Sequence, residues 1–129
     1  MKYCILMGSP RKNGNTASLL RDFTEELSAY EAEYNQICLY GKVIQPCVAC
    51  RVCQADWTKF GCQHHDDVQD IFDKILDADI ILLATPIYSW YCTTPMKALL
   101  DRLVYGMNKY YGNASKVAKV LWRRGPTCL

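Results

Sequence analysis

A chain of 129 residues, half of them hydrophobic, has enough material for one domain with a real core and needs no disulfide bonds to fold. Its formal net charge is +2, and no dense run of basic residues occurs apart from Arg123-Arg124, which speaks against a nucleic-acid partner. There is no signal-peptide arrangement and no apolar run of membrane-spanning length, so we expect a soluble, cytoplasmic protein without a membrane partner.

The first part of the chain changes from a strand pattern to a helix pattern and back. Tyr3 to Met7 is continuously apolar, which is typical of a buried strand. Apolar residues then recur at helical intervals, which predicts an amphipathic helix over 16–30 with Asn15 or Thr16 as its N-cap. A second strand is predicted over 33–40.

The later part of the chain repeats this alternation. A second helix is predicted to begin at Asp66-Asp67, whose carboxylates suit the positive end of a helix dipole. Apolar patterns predict a third strand over 79–84, a third helix over 96–107 and a fourth strand over 116–122. Strands that alternate with helices indicate a single α/β domain over 1–129, with a parallel sheet and helices on its faces.

Ligands of such sheets bind beyond the carboxyl ends of the strands, which makes 8–16 and 85–93 the candidate loops. In the first loop, Gly8 permits a sharp turn and a close approach to a ligand. The hydroxyls of Ser9 and Thr16, and the free N–H groups at the helix start, then predict an anion site that needs no metal.

The charge of the first loop supports the same interpretation, because Arg11 and Lys12 lie within it. The glycine spacing matches neither a Walker A loop nor G-x-G-x-x-G. An ordinary turn rich in glycine and asparagine is the alternative.

The second loop, Thr85–Cys92, contains three aromatic residues at a predicted strand end: Tyr88, Trp90 and Tyr91. A flat heteroaromatic ligand could stack on them while backbone amides bond its edge. The alternative is an aromatic patch used in dimer packing.

The chain resembles the flavodoxin-like NAD(P)H-dependent FMN reductases in three segments, 8–16, 85–88 and 96–102. The resemblance covers most of 1–108. The resemblance implies a three-layer flavodoxin-like α/β/α fold and non-covalently bound FMN, with hydride passing from NAD(P)H to the flavin. No protein acid or base is needed, and we name no catalytic residue. The implied phosphate contacts are Ser9, Arg11, Asn13, Asn15 and Thr16, and the ring would lie against Pro86, Ile87, Tyr88 and Ser89, with Trp90 nearby.

Four of the eight cysteines lie in a loop over 41–65 that has no helix or strand periodicity. Cys47, Cys50 and Cys53 form C-x2-C-x2-C, and Cys62 follows after eight residues. The loop is similar to that of the iron–sulfur flavoproteins, whose fourth cysteine lies closer, and four thiolates can hold a [4Fe–4S] cluster. A Cys4 zinc site, a redox-active dithiol or disulfide, and four reduced surface thiols are open alternatives.

Two further pairs of residues are expected to have no chemical role. Lys97 and Asp101 stand four apart on the predicted third helix and can form an ion pair there. His64 and His65, the only histidines, are expected in a solvated turn.

The chain departs from the family in its C-terminal part. The family sheet has five strands in the order 2-1-3-4-5, and this chain has material for four, so we expect the last strand and helix to be missing. The tail over 123–129 does not resemble the family's continuation. The strand at 116–122 would then present an exposed edge, and we expect a homodimer or a larger homo-oligomer.

Three functions are compatible with these patterns. The first is an FMN-binding oxidoreductase that accepts hydride from NAD(P)H and passes electrons to a small acceptor such as a quinone or free flavin. The second is an iron–sulfur flavoprotein that carries electrons to a redox protein through a [4Fe–4S] cluster on the Cys47–Cys62 loop. The third is a truncated flavodoxin-like module that is not catalytic.

Overall fold

The computed structural model describes residues 1–56 and 61–107, and it has the predicted alternation of strands and helices. The strands are β1 (Lys2–Met7), β2 (Glu33–Cys38) and β3 (Ile80–Ala84), and the helices are α1 (Asn15–Ala29), α2 (Val68–Asp77) and α3 (Thr94–Met107). None of the described helices combines the length and the apolar character that crossing a membrane requires. The predicted strand over 116–122 lies outside the described residues, so the association inferred from its edge stays a prediction.

The three described strands form one parallel sheet in the order β2-β1-β3. β1 is central: it pairs with β2 from Lys2↔Glu33 onward and with β3 from Tyr3↔Ile80 onward. The winding of the chain therefore reverses at β1, as in flavodoxin-like sheets, and the carboxyl ends of β1 and β3 lie side by side. This arrangement confirms the predicted fold class and brings the two candidate loops together.

Side chains of β1 alternate between two cores, one on each face of the sheet. One core packs β1 against α2 and α3, and its members include Cys4, Leu6, Phe72, Ile75, Met96 and Leu99. The other packs β1 against α1, and it consists of Ile5, Met7, Ala17, Leu20 and Leu27. Because both faces of the sheet are covered by helices, the apolar run of β1 is buried from Cys4 to Met7.

Several predicted element ends are wrong by one or two residues, among them the start of α1 and the end of β2. The N-cap of α1 is Gly14 rather than Asn15 or Thr16, which lie inside the first turn, and no side chain caps the helix. Gly14 has extended backbone angles, and its carbonyl accepts the first helical hydrogen bond from Ser18 N at 2.9 Å. β2 ends two residues early, because Leu39 is fully buried in a 3₁₀ turn over Leu39–Gly41.

Candidate functional site

The loops that follow β1 and β3 meet in one cleft of about 560 Å³, a volume typical of small-molecule sites. Its lining residues are Ser9, Arg11, Asn13, Gly14, Asn15, Thr16, Pro86 and Tyr88. The cleft thus brings together all of the predicted phosphate contacts. Of the predicted ring contacts, Pro86 and Tyr88 line it.

The phosphate-side wall of the cleft is a tight turn that leads into α1. Ser9 is buried, and its Oγ accepts a hydrogen bond from Arg11 N at 3.2 Å, so this hydroxyl shapes the turn. Gly14 N donates to Arg11 O at 3.3 Å and closes it. Since no side chain caps α1, the N–H groups of its first turn and the positive end of its dipole are available to an anion.

The expected close approach of Gly8 to a ligand stays a prediction, and the structure shows a packing role for this glycine. Gly8 does not line the cleft, and no glycine of the described residues has a positive φ. A Cβ atom on Gly8 would lie 2.9 Å from Thr93 Oγ1 and 3.2 Å from both Thr85 Oγ1 and Met96 Cε. Glycine is required here because the segment before α3 packs directly against the end of β1.

The aromatic loop after β3 folds into a tight hairpin, of which Tyr88 lines the cleft. Tyr88 N donates to Tyr91 O at 2.8 Å, and Tyr91 N donates back to Tyr88 O at 3.0 Å. The two central residues, Ser89 and Trp90, have φ of 48° and 68°, the pattern of a type I′ turn. Trp90 is 98% exposed and Ile87 is 75% exposed. The roles of Ile87, Ser89 and Trp90 at a flavin ring stay predictions.

The predicted pair on α3 is present. Lys97 Nζ forms an ion pair with the Asp101 carboxylate, and both side chains are nearly half exposed. The hydrogen bond to Asp101 raises the pKa of Lys97. Lys97 Nζ also lies 5.9 Å from the ring centroid of Tyr91, within cation–π range. This surface contact supports the structural role that we predict for the pair.

The four loop cysteines, in contrast, do not converge. The parts of the chain that the structure describes include all four, yet they contain no group of three or more His, Cys, Asp or Glu side chains placed to hold a metal ion. Cys50 is exposed, while Cys47, Cys53 and Cys62 are half-buried. The donor set has the right chemistry for a cluster, but this conformation of the loop does not fit one.

Two aspartates close the neck of the cysteine loop. Asp67 Oδ2 accepts Val43 N at 2.7 Å, and Asp67 N donates to Val43 O at 3.2 Å. Asp66 Oδ2 accepts Gln45 N at 2.8 Å, and Asp66 Oδ1 accepts Val68 N at 3.3 Å. α2 therefore begins at Val68, two residues later than expected, because Asp66 bonds to the loop rather than joining the helix.

Beneath this neck lies Arg102, a residue for which the sequence pattern predicts no role. It is 3% exposed, and its Nη1 lies 2.5 Å from Asp66 Oδ2 and 3.3 Å from Gln45 O. Burial lowers the pKa of Arg102, but hydrogen bonds with Asp66 and Cys62 raise it overall. The helical spacing could have drawn attention to Arg102. It stands three residues after Leu99, so a charged residue falls on the apolar face of α3.

The same contacts determine the ionisation of Asp66. Burial raises the pKa of the Asp66 carboxyl, but hydrogen bonds from Arg102 and from the backbone of Gln45 outweigh this effect. The net result is a pKa below the ordinary value, so Asp66 is charged at neutral pH. The loop neck is thus closed by a buried ion pair.

The expectation of a solvated turn holds for only one of the two histidines. His65 is exposed, whereas His64 is half-buried. His64 Nε2 is fully buried and has no hydrogen-bond partner among the residues described, and the same is true of Arg102 Nε. His64 is therefore packed more closely than a polar turn suggests.

Comparison with known proteins identifies the family. A model of the NADPH-dependent FMN reductase family matches residues 1–122. An iron–sulfur flavoprotein of Methanocaldococcus jannaschii is 34% identical over 102 residues, which cover 79% of this chain and 51% of that protein. An iron–sulfur flavoprotein of Methanosarcina thermophila is 30% identical over 121 residues, 94% of this chain and 62% of its relative. The chain thus spans between half and two thirds of the length of these relatives.

A solved structure supports the fold. RosB, with bound 8-demethyl-8-formylriboflavin-5′-phosphate, aligns with a TM-score of 0.62 at 22% identity, over 80% of this chain and 42% of RosB. At that identity the likeness concerns the fold alone. The family model, in contrast, matches nearly the whole sequence, and the chain belongs to the NADPH-dependent FMN reductase family.

Proposed function

We propose that the chain binds FMN in the cleft between 8–16 and 85–91, accepts hydride from NADPH and passes electrons to a small acceptor such as a quinone or free flavin. One observation carries the proposal: every residue that we expect at the phosphate lines a single cleft together with Pro86 and Tyr88. Family membership supports the same cofactor and donor.

The residues of the cleft suit the two ends of FMN. The uncapped start of α1, with the side chains of Asn15 and Thr16, would bind the phosphate, and the exposed guanidinium of Arg11 would add a charged donor. Pro86 and Tyr88 line the other side of the cleft, where a planar ring would lie. FMN, when bound, supplies the hydride acceptor, so the protein contributes position rather than an acid or a base.

Thr16→Val and Arg11→Ala are each expected to weaken FMN binding by about 1–3 kcal/mol, because each removes a donor to a charged phosphate. Titration of FMN fluorescence against the protein measures the dissociation constant. Lys12→Ala is the matched control for Arg11, since Lys12 is an exposed cation of the same loop that does not line the cleft. Riboflavin, which has no phosphate, should bind the wild type and both variants alike.

Two outcomes would contradict this assignment. Absence of FMN binding to the wild-type chain would remove the proposed function. An equal loss for Lys12→Ala and Arg11→Ala would mean that the loop attracts FMN through its general positive charge rather than through the cleft.

A second candidate, an iron–sulfur flavoprotein electron carrier, is favoured by the curated relatives of that name and by the C-x2-C-x2-C motif. Since the thiols of Cys47, Cys50, Cys53 and Cys62 do not converge in the structure, a cluster would require the loop to rearrange. Protein purified without oxygen should then contain about four iron atoms per chain. Cys50→Ser should abolish the iron content, and Cys38→Ser, outside the loop, should not. Iron-free protein from such a purification would reject this candidate.

A further inference from the structure

We propose that Thr93, which no comparison or motif singles out, is a positioning residue that sets the distance between the two walls of the cleft. The inference rests on the proposed binding of FMN, because only a ligand that touches both walls is sensitive to that distance. Thr93 itself is fully buried and does not line the cleft.

Thr93 joins three elements at one point. Its Oγ1 donates a hydrogen bond of 2.6 Å to Gly8 O, at the end of β1. Its backbone N donates to Thr85 Oγ1 at 3.2 Å, at the end of β3. Its backbone O accepts Lys97 N at 2.8 Å in the first turn of α3. A single residue therefore fixes the ends of two neighbouring strands relative to one helix.

Both strand-end contacts lie one residue away from the cleft. Gly8 is followed by Ser9, the first lining residue of the phosphate wall, and Thr85 is followed by Pro86, the first of the other wall. Gly8 N also donates to Ala84 O at 2.7 Å, so the two strand ends are already adjacent at this level. Thr93 extends this link to the residue that precedes each wall, through the Gly8 carbonyl and the Thr85 hydroxyl.

The packing leaves little freedom around this link. The Cβ atom that Gly8 lacks would lie 2.9 Å from Thr93 Oγ1, which is closer than real side chains approach. The threonine precedes α3, where its hydroxyl would ordinarily cap the helix. Its hydroxyl proton, which capping does not use, goes to the carbonyl of Gly8, 85 positions earlier and directly after β1. Such a use of the hydroxyl fits a role in holding the walls, since supporting contacts keep a binding site in register.

Thr93→Val keeps the shape of the side chain and removes the hydroxyl, so it tests the link directly. We expect its FMN affinity to fall about tenfold while its riboflavin affinity changes less than twofold. The ratio of the two affinities is the decisive readout, because a loss of general stability would weaken both ligands together. Thr93→Ser, which retains the hydroxyl, should restore the wild-type ratio.

Thr85→Val provides an independent test if Thr93→Val fails to fold, because it removes the acceptor of Thr93 N. It should lower the same ratio in the same direction. Thr24→Val is the control, since the Thr24 hydroxyl bonds within α1, to Arg21 O at 3.0 Å. An unchanged ratio in Thr93→Val, or equal ratios for Thr93→Ser and Thr93→Val, would overturn the inference. A wild-type chain that binds no FMN would instead overturn the proposed function, and the inference with it.

Discussion

Arg102→Met is expected to lower the free energy of unfolding by about 3–5 kcal/mol, one of the largest effects of any single substitution outside the apolar core. Methionine fills a similar volume but leaves the buried Asp66 carboxylate without its cation, and both side chains of this pair are only 2% exposed. The carbonyl of Gln45 and the thiol of Cys62 lose the same partner. Urea unfolding followed by circular dichroism measures the change.

Lys97→Met is the matched control, because it breaks an ion pair on the same helix that is nearly half exposed. Its cost should stay below about 1 kcal/mol. The double variant Arg102→Met with Asp66→Asn should lose less stability than the sum of the two single variants, because no unpaired charge is left buried. Strictly additive losses would show that the two residues do not act as a pair.

The pH dependence of the same variant follows from the lowered pKa of Asp66. A carboxyl with a depressed pKa in the folded state contributes stability above its ordinary pKa of about 4, and that stability is lost as the pH falls through the folded value. The loss of unfolding free energy caused by Arg102→Met should therefore be largest at neutral pH and become smaller below about pH 4. A cost that does not change with pH would indicate packing rather than charge.

Replacing Ser89 with Asn and Trp90 with Gly is expected to raise the free energy of unfolding by about 2 kcal/mol. Two consecutive non-glycine residues have positive φ in this turn, and each such residue costs on the order of 1–3 kcal/mol. Asn-Gly is the sequence that type I′ turns prefer, and Trp90 contributes no packing because it is 98% exposed. Thermal unfolding measures the gain.

Trp90→Ala distinguishes the effect of the left-handed backbone on stability from the effect of the exposed indole. It removes the exposed indole but keeps a Cβ atom at positive φ, so its stability should remain close to that of the wild type. If Trp90→Ala were as stabilising as the Asn-Gly variant, exposure of the indole and not the left-handed backbone would be the cause. The chain retains this costly turn beside its cleft, where strained residues are most often found.

The sequence pattern was sufficient for the fold because its signals are local. The apolar run of β1 and the helical spacing of α1 are set by residues adjacent in the chain, and the α/β alternation then predicts a parallel sheet. The order of its strands, β2-β1-β3, was expected only from the resemblance to the family. The ends of α1 and β2 were predicted wrongly because contacts in the folded chain override the local preference of the residues. Asn15 is a favourable N-cap residue, but the turn closed by Gly14 and Arg11 places it inside the helix.

The residues of the candidate site could be predicted only where a polar or aromatic side chain lies in a loop that follows a predicted strand. Ser9, Thr16 and Tyr88 follow strand ends, and they line the cleft. Thr93 was not predictable, because its partner Gly8 is 85 positions away, and Arg102 meets Asp66 across 36 positions. The spacing of the cysteines indicates a set of possible ligands but not the conformation of the loop, so it could not show that their thiols form no metal-binding group in the described part of the chain.

The closed neck of the cysteine loop has a consequence for how this family can diversify. Val43 and Asp67 are bonded to each other in both directions, so the ends of the intervening segment stay together whatever lies between them. The segment also follows β2, whereas the cleft is formed after β1 and β3. Since no residue of the loop lines the cleft that we assign to FMN, we expect that a change in the length or the cysteines of the loop leaves the lining of the cleft in place.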